Sequence, residues 1–183
     1  MEYEVIRRKR KTLSAMIKDG RVIVYAPLHT GIKEIENFLN KNKSLIEKKL
    51  TESIRQMKEA ENAGILSDDD IKRLMREAKR YIPERVRYYA RIMGVEYGSI
   101  TIRCQKTRWG SCSSKGNLNF NCLLMLTPED VIDSVVVHEL CHLKEMNHSK
   151  RFYDLVYNAY PKYDECNKWL KENGQMIMKR GRR

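Results

Sequence analysis

His138-Glu139-Leu140-Cys141-His142 places two imidazoles four residues apart, with a carboxylate directly after the first. On a helix, residues i and i+4 lie one turn apart on one face. Both rings can then reach one ion at the roughly 2.0–2.1 Å that a zinc–nitrogen bond requires. Glu139 stands where metalloproteases aim a carboxylate at the water a metal activates. His148 comes six residues after His142, past the expected helix end, and can supply a third nitrogen. Three protein ligands leave the fourth tetrahedral position open, the pattern of a catalytic rather than a structural zinc. A bare H-E-x-x-H also arises by chance; the sequence around this one argues otherwise. Three of the four histidines of the chain fall within residues 138–148.

Such a site predicts hydrolysis, with Glu139 taking the proton of the attacking water. The developing negative charge needs a second donor beside the metal, and Arg108, Ser111, Lys115 and Tyr153 are the candidates. The segment Ser113–Asn117 could also hold an anion, but it lacks P-loop spacing. Its Ser, Gly and Asn residues read more simply as a turn joining two antiparallel strands.

Several elements must position these groups. Thr127-Pro128-Glu129-Asp130 predicts the start of the motif helix, with Thr127 as N-cap and Pro128 as the first helical residue. Val131, Ile132, Val135, Val136 and Leu140 form an apolar stripe that buries it. Cys141 lies off the face of the two histidines and is expected in the core. Glu145, Asn147 and a new helix signal after Ser149 predict a sharp turn around His148. Upstream, Asp19-Gly20 between two β-rich runs predicts a hairpin, and a helix is expected from Gly31 through Leu50. Ser67-Asp68-Asp69-Asp70 predicts a capped N-terminus, with a kink or restart at Pro83 and an end at Gly94. Ser99–Cys104 and Leu118–Cys122 read as strands. After the motif, Phe152, Leu155, Val156 and Ala159 predict a helix stopping at Pro161. A last helix spans Tyr163 to Glu172, capped by Gly174. Tyr81, Tyr88 and Tyr89 beside arginines could stack on nucleic acid, but helix packing is the simpler role. The implied organisation is a small sheet-and-helix unit over 1–50, a linker or helix tail over 51–66, a catalytic domain over 67–176 and a disordered basic tail over 177–183.

Apolar residues make up 42% of the 183, enough for a real core. Five cysteines without a C-x-x-C pair read as reduced thiols rather than a disulfide framework. No apolar run approaches the ~18 residues of a membrane span, and no secretory leader opens the chain, so a soluble, cytoplasmic protein is expected. The net charge is +12, with the excess concentrated in the two ends. Those ends read first as a solvated surface and second as a docking site for nucleic acid.

Two stretches together carry a resemblance. Arg108-Trp109-Gly110-Ser111-Cys112-Ser113-Ser114-Lys115-Gly116-Asn117 precedes the motif, and Asn147-His148-Ser149-Lys150-Arg151-Phe152 follows it. With Ile6–Leu13, the hairpin and Ala26-Pro27, they resemble the YgjP-like family of metal-dependent hydrolases, related to the SprT and WLM zincin-type metallopeptidases. The resemblance implies an α+β fold with a zincin-like helix–sheet core. It also implies Zn2+ (or another divalent transition metal) on His138, His142 and His148, with Glu139 as catalytic acid/base. The histidine spacing equals that of metzincins, but Glu145 stands where they have glycine; Met176 and Met178 are Met-turn candidates by residue type alone. The expected activity is metallopeptidase cleavage of a polypeptide. The alternatives are a phosphohydrolase acting on nucleotides and a SprT-like protease docked on DNA by its basic ends.

Overall fold

Asp19 and Gly20 both lie at positive φ, 49° and 70°, the conformation of a type I′ hairpin turn. They join strand β2 (Ser14–Lys18) to β3 (Arg21–Pro27) in antiparallel register, Lys18 opposite Arg21. Strand β1 (Tyr3–Arg8) pairs in parallel on the other side of β3, giving the order β1-β3-β2. The computed structural model describes residues 2–181 and divides into two compact units, one up to Ala63 and one from Gly64. In the first unit, Val22, Val24 and Ala26 alternate along β3 and pack with Ile35, Leu39 and Ile46.

The single helix expected from Gly31 is instead two, α1 (Ile32–Lys41) and α2 (Lys43–Ala63). The break falls at Asn42, whose amide donates to the Phe38 carbonyl at 2.8 Å, a local bond that competes with continuing the helix. Ile35 and Ile46 are buried, while Ile32 and Leu45 are 65% and 54% exposed. Helix α2 also continues through residues 51–63, so most of the segment read as a linker or tail is regular helix.

The second unit is α+β. Ser67 and Asp70 form the expected capping box, and α3 (Asp68–Met93) ends at Gly94 in the left-handed conformation. Helix α3 does not restart at Pro83 but continues through it, between the fully buried Ile82 and Val86. A second sheet of order β4-β6-β5 follows, from β4 (Ile100–Arg103), β5 (Gly110–Cys112) and β6 (Leu118–Asn121). Strand β5 pairs antiparallel with β6, and β4 pairs parallel with it.

Helix α4 (Glu129–Cys141) starts one residue later than the sequence suggests. Pro128 occupies the N-cap, and the Thr127 hydroxyl donates backwards to the Leu124 carbonyl at 2.8 Å. Val137 and Cys141 are as buried as the predicted stripe; α3, α5 (Lys150–Ala159), α6 (Tyr163–Arg180) and β5 all pack on α4.

One polar clamp fixes α4 against α3. The Arg85 guanidinium donates to both carboxylate oxygens of Asp133, at 2.7 and 2.6 Å, and the Tyr89 hydroxyl donates to the same carboxylate at 3.0 Å. Paired forks of this kind are directional as well as strong. Removing one member of a buried pair costs about 3–5 kcal/mol. Arg85 keeps 28% of its side chain exposed, so water compensates part of the loss. We expect Asp133→Ala to lose about 2–3 kcal/mol, read as a lower urea midpoint at unchanged slope.

The C-terminal reading needs correction. Helix α6 does not end near Glu172, and Gly174 is buried in its interior rather than capping it. A side chain there would meet the Trp109 ring at 3.2 Å, so the glycine provides clearance. Ile177 and Met178 of the expected tail are buried, and Arg180 bonds back to Gly64 and Leu66. Arg182 and Arg183 lie outside the described residues. No helix among the described residues is long and apolar enough to cross a membrane.

Candidate metal centre

Helix α4 sets His138 and His142 on one face with ring centroids 5.0 Å apart. The helix then closes in tight turns, with Lys144 and Glu145 both donating to the Cys141 carbonyl. This reversal returns His148 to the same point, its Nε2 lying 3.1 Å from that of His138. One nitrogen from each of the three rings falls within 4.8 Å of the others. Ser149 caps α5 and accepts from the Phe152 N–H. The ring of Phe152, fully buried, packs against all three imidazoles at 4.6 to 4.9 Å. The predicted stripe on α5 thus has a second use, as the floor under the histidines.

The outward nitrogens are held from behind. His142 Nδ1 lies 3.2 Å from the Glu145 carbonyl, which can only accept. The proton of the neutral ring is therefore on Nδ1, and the Nε2 lone pair faces the cluster. His138 Nδ1 lies 2.9 Å from the Tyr163 hydroxyl. Burial first, then the two neighbouring imidazoles, pull the His138 pKa down to about 4. Burial also lowers that of His142. These two rings are neutral near pH 7, the form that binds a metal. Three convergent imidazole nitrogens suit zinc or a similar transition ion. They do not suit calcium or magnesium, which take oxygen ligands.

Glu139 lies beside this cluster and is 5% exposed. Burial pushes its carboxyl up to about 8, with the charge of Arg108 pulling the other way. Gly110, at the start of β5, makes the position available: a Cβ there would sit 2.6 Å from a Glu139 oxygen. We expect Gly110→Ala to keep metal stoichiometry and to lower kcat by about 10²-fold, since ångström-scale misplacement of a reacting group costs that much. Metal content and kcat measured on the same preparation would test this.

Two lobes meet at Glu139. One, about 270 Å³, runs between apolar walls of Trp109, Val135 and Leu170. The other, about 290 Å³, is more polar and includes Ser111, His142 and His148. Arg108, Gly110, His138 and Glu139 line both. Of the donors suggested by sequence, Arg108 and Ser111 therefore face the cleft. Lys115 is exposed in the β5–β6 turn, and Tyr153 stands 6.4 Å from the His148 ring; neither lines a lobe. Met146, rather than Met176 or Met178, is the methionine of the polar lobe.

Sequence reasoning missed Tyr163 and Leu170, which come from α6. Nothing in their spacing ties them to the motif. Trp109 and Gly110 lie in the stretch that carries the family resemblance, where nothing local marks either as lining the cleft.

Residues 67–173 match the family model described as YgjP-like, metallopeptidase domain. Over 60 residues the chain is 33% identical to the UTP pyrophosphatase of Escherichia coli (strain K12). That alignment covers 33% of this chain and 36% of the relative, so the chain spans about a third of its length. Among solved structures, the metallopeptidase zymogen of Methanocaldococcus jannaschii jannalysin overlaps with a TM-score of 0.46 at 22% identity. That of Pyrococcus abyssi abylysin overlaps at 0.47 and 20% identity. Each overlap covers 51% of this chain and 96% of the other.

Proposed function

This chain belongs to the YgjP-like family through its metallopeptidase domain, and from that premise we propose a zinc-dependent hydrolase of peptidase type with Glu139 as general base. The observation that carries the reading is the convergence of three imidazole nitrogens within 4.8 Å, beside the buried carboxyl of Glu139.

His138, His142 and His148 would hold zinc, which would supply Lewis acidity to the cleft. Glu139 would accept the proton of the attacking water and deliver it to the leaving amine. Burial pushes the Glu139 carboxyl up to about 8, so it holds a proton more readily than a free carboxylate does. Such a base contributes ~10²–10⁴-fold. Arg108 lines both lobes and supplies positive charge toward the developing oxyanion, with Ser111 as a neutral donor. The apolar lobe beside Glu139 suits an aliphatic or aromatic side chain next to the scissile bond, which favours a polypeptide substrate.

A second reading has its own support. The Escherichia coli relative is named for UTP pyrophosphatase activity, and Arg108 with Ser111 could seat a phosphate. One experiment separates the two: zinc-loaded protein is offered unstructured polypeptide and a nucleoside triphosphate panel that includes UTP. Peptide cleavage is the expected result. Release of pyrophosphate with no peptide cleavage would replace the peptidase reading with phosphoryl chemistry on the same centre.

A further inference from the structure

We infer that Tyr163 is a positioning residue for the metal: its hydroxyl accepts the His138 Nδ1 proton and thereby aims the His138 Nε2 lone pair at the ion. This rests on the trihistidine reading above and extends it to a residue of α6. The contact is 2.9 Å. The two rings lie nearly parallel, 11° apart, with centroids 6.0 Å apart. Tyr163 is 7% exposed, which shields the bond from competing water.

The placement is fixed by more than the tyrosine itself. Tyr163 opens α6, and its N–H donates to the Tyr160 carbonyl at 3.1 Å. The Tyr160 hydroxyl in turn donates to the Asp130 carbonyl at 3.0 Å, and the Cys166 thiol reaches the same oxygen at 3.4 Å. The corner between α5 and α6 is thus fastened to the first turn of α4, the helix that carries His138. A tyrosine held this way cannot drift from the ring it orients.

The chemistry distinguishes Tyr163 from the partner of His142. That ring leans on a backbone carbonyl, which no substitution removes. Tyr163 offers a neutral oxygen, so it fixes the tautomer without adding negative charge behind the ligand. The positive charge of the ion is left to act on the cleft. Loss of an outer partner to a metal-bound histidine typically costs ~10–100-fold in affinity, and a neutral hydroxyl belongs at the lower end.

The test is zinc affinity of Tyr163→Phe by competition with a chromophoric chelator. The 15N spectrum of the metal-free protein reports the His138 tautomer alongside it. Tyr157→Phe is the control, because Tyr157 touches the Tyr163 ring edge-on at 6.2 Å but bonds Asp164 instead of a histidine. The expected result is a roughly tenfold weaker zinc complex and a mixed His138 tautomer in Tyr163→Phe, whose metal-free form still unfolds cooperatively, at a somewhat lower midpoint for the lost buried hydrogen bond. Tyr157→Phe should match the parent. Unchanged affinity in Tyr163→Phe would overturn the inference while leaving the metal site intact. An equal loss in Tyr157→Phe would also overturn it, since the effect would then follow from losing any hydroxyl of this tyrosine cluster rather than the one on His138. Failure of the parent protein to bind zinc stoichiometrically would overturn both this inference and the trihistidine reading.

Discussion

Glu139→Gln is expected to bind zinc as the parent does and to lose turnover by ~10²–10⁴-fold, the range a general base contributes. Glutamine keeps the shape of the side chain in a space closed by the Gly110 backbone, so the cleft should not rearrange. What disappears is the ability to accept a proton. Turnover within twofold of the parent would remove Glu139 from the mechanism. The same variant makes a stability prediction whose sign follows from the pKa. In the folded metal-free protein the carboxyl titrates near 8 rather than 4.5 because it is buried. The native state therefore holds its proton more tightly than the unfolded state between those values. Stability from this group is complete below about pH 4.5 and declines as pH rises toward 8. Glutamine has no charge to bury. Metal-free Glu139→Gln should match the parent near pH 4 and exceed it near pH 9, which denaturant melts at the two pH values would report.

His142→Ala should abolish tight zinc binding. The loss of a direct ligand exceeds the ~10–100-fold that follows from losing an outer partner, and we expect an affinity drop on the order of 10³-fold or more. The two remaining nitrogens sit on elements of unequal constraint. His138 lies on the buried helix α4, whereas His148 is an exposed residue of the turn before α5. The variant also removes a ring that rests on Phe152 at 4.6 Å, so some melting temperature will be lost as well. Zinc content after dialysis, measured on folded protein, separates the two effects. Stoichiometric zinc at parental affinity would take His142 out of the ligand set, and turnover should fall along with metal content.

The two predictions rest on groups that the sequence exposes, because their relation is local. His138, Glu139 and His142 are arranged by the helical repeat alone, and His148 is brought back by the turn that immediately follows. The Asp19-Gly20 turn, the Ser67–Asp70 capping box and the left-handed Gly94 were readable for the same reason: each depends on bonds among residues a few positions apart. Readings that needed a competition between local signals came out differently. Gly174 looked like a helix end until the Trp109 ring required the space, and Asn42 divided a helix that the apolar pattern alone would continue.

What surrounds the motif was decided only by tertiary packing. Tyr163 reaches His138 across 25 positions, Arg85 reaches Asp133 across 48, and Gly110 leaves room for Glu139 from another sheet strand. Periodicity carries no information about such pairs, since side chains from separate elements meet only after α3, α4, α6 and the β5 edge have packed. The sequence by itself therefore determined which atoms can do the chemistry. The tertiary structure decided their aim, their protonation and the walls of the cleft, because burial and clearance are properties of neighbours brought together by the core.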